Sequence, residues 1–170
     1  MELIKEIYEN DIGYKDENIE IAYKIRKASR SIVFNNSGKI ALLYVSKNNY
    51  HKLPGGGIEV GEDINAALHR EIMEEVGVKI EVLGEIGTII EYRDKHELLQ
   101  ISYCYYSKVK GNSKETAFTD EERAAGFQLK WVKLDEALSI LQEDTPDNYV
   151  GKFIKNRDLL FLEKAKLIIK

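Results

Sequence analysis

Apolar residues along the chain repeat with two different periods, and the change from one to the other marks the elements. Ser31-Ile32-Val33-Phe34 and Ile40-Ala41-Leu42-Leu43-Tyr44-Val45 are short, mostly apolar runs that read as strands. Asn35-Asn36-Ser37-Gly38 between them is a turn, since Asn and Gly tolerate positive φ, so the pair is predicted to form a hairpin. Residues 47–61 are polar and glycine-rich and read as a loop. Ile64, Leu68, Ile72 and Val76 then recur four apart, the stripe of a helix over 63–76 that Gly77 ends. Beyond it, 78–83, 87–92, 98–108 and 127–134 are predicted strands and 110–125 a polar loop. A short helix capped by Asp135 is expected over 135–141 and a terminal helix over 156–169. Residues 1–27 are dense in charge and read as an extension, a strand or short helix packed on the domain or a partner, ahead of a domain over 28–170. Strands and helices do not alternate regularly. That argues against a doubly wound nucleotide fold and for an α/β (α+β) domain, a mixed sheet with helices packed on it.

Composition narrows the class without changing this outline. The 170 residues are 44% hydrophobic and 32% charged, the balance of a soluble globular domain able to bury a core. A net charge of −4 argues against attachment to nucleic acid by bulk charge. No apolar run approaches the ~18 residues that a membrane span needs. Met1-Glu2-Leu3-Ile4-Lys5-Glu6 lacks the basic-then-apolar order of a secretory signal. The one cysteine, Cys104, permits no intrachain disulfide and no cysteine metal site, and a core position in a reducing cytoplasmic setting is expected.

The helix over 63–76 carries the chemistry. At about 100° per residue, Glu71, Glu74 and Glu75 fall within roughly 100° of one another on one face, beside the apolar stripe. Like charges at these spacings repel, and three of them in the last turns oppose the helix dipole. A solvated acidic face is the ordinary reading of such a group. Its neighbours shift that reading: Glu62 precedes Arg70 by two helical turns, and Gly55-Gly56-Gly57 puts bare backbone beside the helix start. Such a loop lets carbonyls and amides approach a metal or a phosphate closely. Hard divalent cations prefer oxygen ligands, so Mg²⁺ or Mn²⁺ suits the cluster. The loop does not end in Gly-Lys-Ser/Thr and is not a Walker loop.

The same residues resemble the Nudix box. Gly56, five residues, Glu62, seven residues, then Arg70-Glu71-Ile72-Met73-Glu74-Glu75-Val76-Gly77-Val78 fill every fixed position of that pattern. The resemblance implies an α/β/α sandwich around a mixed sheet, with the box as a loop–helix–loop. It also implies hydrolysis of a diphosphate linked to another group, by water attack on phosphorus with Mg²⁺ or Mn²⁺. Carried over by position, Glu74 and Glu75 are the main metal ligands, with Glu71 binding metal or orienting the water. The carbonyl of Gly55 is a backbone ligand. Arg70 holds the catalytic glutamates, and Glu62 pairs with it. Some members take a general base from a later loop, which makes Glu121 or Glu122 the candidate here. His51, Lys52, Gly56 and Gly57 are the expected substrate contacts, and His96 and Glu97 are weaker candidates.

Markers of substrate are absent downstream. Asp94 stands where related ADP-ribose enzymes carry a proline, and Lys95 and His96 where dinucleoside polyphosphate enzymes carry a tyrosine. A nucleoside triphosphate, including an oxidised one, is the first expectation. An RNA 5′ end or an ADP-ribose-type diphosphate comes second. A nucleotide-sensing module that binds without cleaving is the other class, and the intact box argues against it. A small nucleotide is the expected partner, with no membrane, and residues 1–27 and the terminal helix offer surfaces for a homodimer.

Overall fold

The computed structural model describes residues 1–15, 17 and 19–169. Among these, eight strands form one mixed sheet. They are β1 (Leu3–Ile7), β2 (Lys24–Phe34), β3 (Ile40–Val45), β4 (Tyr50–Lys52), β5 (Gly55–Gly57), β6 (Lys79–Arg93), β7 (Leu98–Lys110) and β8 (Phe127–Val132). The helices are α1 (Ile64–Val76), the short α2 (Asp120–Ala124), α3 (Leu134–Glu143) and α4 (Tyr149–Ile168). No helix among the described residues is long and apolar enough to cross a membrane.

Strand β2 is the spine. β7 runs parallel to it over its whole length, from Lys24↔Leu98 to Phe34↔Lys108. Its other edge takes β5 at Ala28, Ser29 and Arg30, and meets β3 at Phe34↔Ile40. β3 then pairs along its length with β8 and, at Leu43 to Val45, with β4. β1 adds in parallel to β6. Successive strand residues point to opposite faces, and the chain uses this to build two cores. Ile32, Ile40 and Leu42 join Phe153, Phe161 and Leu162 beneath α3 and α4. Val33 and Ala41 join Leu68, Ile72 and Val76 beneath α1. The result is the expected α/β/α sandwich around a mixed sheet, and Cys104 is buried in the first core.

Several elements differ from the sequence-based outline. The predicted loop over 47–61 contains β4 and β5. Three glycines carry no side-chain alternation to read, yet they pair because β2 leaves no room for a Cβ at Gly55, where one would run into the Ser29 carbonyl. The two strands expected over 78–83 and 87–92 are one strand, β6, with register shifts at Val82/Gly84 and Glu85/Gly87. The glycines there mark bulges, not a turn. Asp135 lies inside the first turn of α3, whose N-cap is Lys133. α4 begins at Tyr149, seven residues early, because Asn148 Oδ1 caps it by accepting from Gly151 N at 3.1 Å. The expected loop over 110–125 ends in α2, capped by Thr119.

Beneath α4 lies a buried polar layer. Glu91 accepts from Arg93 Nη2 at 2.8 Å, Gln100 Nε2 at 3.0 Å and Arg157 Nη1 at 3.2 Å. Arg157 Nε donates to Asp158 Oδ1 at 2.7 Å, and Asp158 Oδ2 accepts from Leu53 N at 2.8 Å. This layer pins the segment between β4 and β5 to α4. Burial alone would raise the Glu91 carboxyl, but Arg157 and Arg93 outweigh it and hold it down at about 2. The folded value is below the ordinary 4.5, so the charge of Glu91 stabilises the fold above that pH. Its contribution falls away between pH 4.5 and about 2. Glu91→Gln should cost about 3–5 kcal/mol near neutrality, because the Arg93 and Arg157 guanidiniums lose their counter-charge. Melting temperatures followed downward in pH should show the gap between variant and wild type closing across that window. A gap that stays constant would show that the charge is not what Glu91 contributes.

Candidate active site

Helix α1 begins with Asp63, whose Oδ1 accepts from Ala66 N at 2.8 Å, and ends at Gly77 in the left-handed region at φ +74°. With Leu68, Ile72 and Val76 fixed against the sheet, helical spacing brings Glu71 and Glu75 down beside them, both buried. Glu74 stands half-buried at the rim.

Arg70 is the hub of this cluster. Its Nε and Nη2 donate to the two oxygens of Glu62, each at 2.9 Å, a bidentate pair. Nη2 also reaches the Gly57 carbonyl at 2.9 Å. Nη1 donates to Glu71 Oε1 at 2.8 Å and lies 3.5 Å from Glu74 Oε2. Hydrogen bonding to Glu62, against a smaller effect of burial, raises the Arg70 guanidinium above its ordinary value, and the bond to Arg70 lowers Glu62. Arg70 therefore keeps its charge at every relevant pH.

Glu75 is held separately. It is 1% exposed, its Oε2 accepts from Gly55 N at 2.6 Å, and its Oε1 accepts from Lys52 Nζ at 2.7 Å. Lys52 Nζ also donates to the Gly55 carbonyl at 3.1 Å and lies over the Phe127 ring. Burial pushes the Glu75 carboxyl up, and Lys52 and the Gly55 amide only partly offset this. Burial likewise raises Glu74, opposed by Arg70 and assisted by Glu71 and Glu122. Gly56 packs against the Glu71 carboxylate so closely that a Cβ there would stand 2.5 Å from its oxygens.

The structure thus brings together Gly55, Gly56, Gly57, Lys52, Arg70, Glu71, Glu74 and Glu75. Glu122 joins their edge. The segment before α2 is tied to the end of α1, with Lys114 N donating to Gly77 O at 2.6 Å and Ala117 N to Glu74 O at 2.7 Å. Glu122 is half-buried, accepts from Thr119 N at 2.8 Å and adds to the negative field at Glu74, whereas Glu121 is exposed. His51 goes elsewhere. It neighbours Lys52 in a strand, so the two side chains leave opposite faces. The His51 ring stacks on Tyr44 and Nδ1 lies 2.9 Å from Asp144 Oδ1. His96 packs edge-on against Tyr149, away from the glutamates. One residue that sequence reasoning passed over is Arg26. It is exposed, hydrogen bonded to Gln100 Oε1 at 2.6 Å, and its guanidinium lies against Gly57. Only the pairing of Ala28 with Gly57, on the same face of β2, brings Arg26 there.

The donor set of Glu71, Glu74, Glu75 and the Gly55 carbonyl is all oxygen, which fits a hard divalent cation such as Mg²⁺ or Mn²⁺. As the side chains stand, no three His, Cys, Asp or Glu groups among the described residues are arranged to hold a metal. Arg70 and Lys52 hold the carboxylates instead.

A family model for the NUDIX domain matches residues 24–153. Diphosphoinositol polyphosphate phosphohydrolase 2 of Rattus norvegicus is 26% identical over 124 residues, 71% of this chain and 65% of that protein. Nudix hydrolase 13, mitochondrial, of Arabidopsis thaliana is 28% identical over 135 residues, 75% of this chain and 65% of the relative. The chain therefore spans just under two thirds of these relatives. The crystal structure of a MutT protein from Methanosarcina mazei Go1 superposes with a TM-score of 0.61 at 17% identity, covering 89% of this chain and all of the other, a likeness of fold.

Two glycine substitutions separate folding from site geometry. Gly56→Ala is expected to fold with nearly wild-type stability, because the crowded atoms are the far end of the Glu71 side chain. Pushing Glu71 off Arg70 should nevertheless cost about 10–100-fold in turnover. Gly55→Ala meets backbone at φ +136° and should lower the melting temperature sharply. Thermal unfolding and turnover of the two variants, measured side by side, check both statements. Full activity in Gly56→Ala would remove Glu71 from the site.

Proposed function

The chain belongs to the NUDIX domain family, and we propose that it is a hydrolase that cleaves a diphosphate linkage with the help of a divalent cation. One observation carries this reading. A single guanidinium, Arg70, gathers Glu62, Glu71, Glu74 and the Gly57 carbonyl into one arrangement whose unshared oxygens suit a hard cation. A divalent cation bound by Glu71, Glu74, Glu75 and the Gly55 carbonyl supplies charge neutralisation on phosphate oxygens and a lowered pKa for bound water.

The chain's own residues do the rest. Arg70 and Lys52 keep four carboxylates of like charge in place, so that little reorganisation remains when substrate arrives. Bare backbone at Gly56 and Gly57 lets a phosphate approach. Arg26, exposed beside Gly57, supplies positive charge for an anionic substrate. Glu122 is the better placed of the two loop acids to accept the proton of the attacking water. Its carboxylate is oriented by Thr119 N, and it stands half-buried beside the glutamates of α1. Glu121 is exposed and lacks that setting.

For substrate, a nucleoside triphosphate remains the first choice. A diphosphorylated inositol polyphosphate is the second, because relatives matching 71% of the chain are named for it and because Arg26, exposed beside Gly57, suits a polyanion. Phosphate release from nucleoside triphosphates, oxidised nucleotides, diphosphoinositol polyphosphates, ADP-ribose and 5′-triphosphorylated RNA, with Mg²⁺ or Mn²⁺ and with chelator, tests this. Chelator-sensitive cleavage of one class is expected. Glu75→Gln should lower it by about a hundredfold or more while the protein stays folded, and Arg70→Ala by about 10–100-fold. Tight binding of one compound with no cleavage of any would favour the sensing module instead.

A further inference from the structure

Lys52 is a cation already seated where ligands for a cation converge. Its Nζ lies 2.7 Å from Glu75 Oε1 and 3.1 Å from the Gly55 carbonyl, with the Phe127 ring 5.1 Å away. Glu75 is 1% exposed, so its carboxylate has no water to turn to and needs a cation partner. Both oxygens belong to the set assigned above to a divalent cation. An ammonium and a divalent ion cannot share them, because like charges at that spacing repel strongly once water is excluded.

We propose that Lys52 is the resident counter-ion of the metal site, releasing Glu75 and the Gly55 carbonyl when a divalent cation binds and recapturing them when it leaves. The proposal rests on the hydrolase reading for the cation itself. The residue type fits. A lysine head is a compact point charge on a flexible stem, able to leave without moving the backbone of β4. Arg70, by contrast, is locked in a planar bidentate pair with Glu62 and stays. Glu75 therefore keeps its position between binding events, because one cation or the other always holds it. Affinity for the divalent ion is then a competition, weaker than the oxygen set alone would give. The displaced ammonium stays within a side chain's length of the site, where an anionic substrate docks. Lys52 is in this sense a positioning residue.

Two measurements on the whole protein test the exchange. The first is Mn²⁺ binding to wild type and Lys52→Met, followed by the electron paramagnetic resonance signal of free Mn²⁺. Lys52→Met should bind Mn²⁺ on the order of tenfold more tightly. It should also melt lower than wild type in chelator and gain more than wild type from Mn²⁺. The second needs no variant, so it decides the matter even if Lys52→Met fails to fold. Acetylation of Lys52 by a limiting amine-reactive reagent, read by mass spectrometry against Lys130, should rise several-fold when Mg²⁺ replaces chelator. Equal or weaker Mn²⁺ affinity in a folded Lys52→Met, or Lys52 reactivity indifferent to Mg²⁺ in a protein that binds Mn²⁺, overturns the exchange and leaves the hydrolase reading standing. A wild type that binds no Mn²⁺ and hydrolyses nothing overturns the hydrolase reading, and the exchange with it.

Discussion

Four carboxylates crowd one end of this fold, and the bidentate pair between Arg70 and Glu62 is what lets them do so. Glu71, Glu74 and Glu75 lie on one helix face near the C-terminal end, where the dipole favours positive charge. Each close pair repels, and burial makes the repulsion worse by removing the screening water. Arg70 answers from within the helix. It shares one guanidinium among Glu62, Glu71 and Glu74, and spends its remaining donor capacity on the Gly57 carbonyl. That last bond ties the helix to β5, and through β5 to the spine of the sheet. The charge arrangement and the chain path are thus fixed by the same side chain.

Lys52 performs the matching task from the other side. The segment that carries it is placed by forces outside the site: β4 pairs with β3, and Leu53 N is held by Asp158 of α4. Asp158 is itself held by Arg157, which also meets Glu91 of β6. A buried ionic layer on the α4 face therefore positions the backbone that supplies Gly55 to the α1 face. Such a layer is poor evidence of net stability, since each ion sheds its water. Its evident effect is to set geometry, fixing where the chain turns between β4 and β5.

Much of the fold and the centre of the site were legible in the sequence, and the failures have physical causes. The apolar repeat of Ile64, Leu68, Ile72 and Val76 and the stop at Gly77 located α1 within a residue, because one amphipathic helix on a core writes its own period. The Arg70 and Glu62 pairing, a link from the preceding loop to the helix, could be expected from their separation of eight residues. Tertiary demands were invisible. Gly55-Gly56-Gly57 reads as a loop, yet it is a strand, because at Gly55 only bare backbone fits beside Ser29 and Arg30. Gly84 and Gly87 break the apolar pattern as a turn would, but they are bulges in one long strand. His51 and Lys52 are adjacent and polar, which suggests a shared role, yet pleating sends them to opposite faces. Arg26 gave no local signal of function, since its position beside Gly57 depends on which strand pairs with which.

The distribution of strain across the molecule follows from these points. The apolar cores beneath α1 and α4 are closed and filled with Leu, Ile and Phe, and they carry the stability. The seam between them, at β4, β5 and the end of α1, holds buried Lys52, Glu71 and Glu75, and burial opposes the charge of Glu75. A fold selected for stability alone would place apolar residues there, as replacing buried ion pairs commonly leaves stability equal or better. Keeping charged groups at the seam means that part of the folding energy is held as electrostatic tension, which a multivalent cation and an anionic ligand together can relieve. At the seam, unlike in the buried ionic layer beneath α4, glycines keep the backbone open to a ligand. The exchange proposed for Lys52 needs only a side chain to move, so it leaves the sheet that carries the site undisturbed.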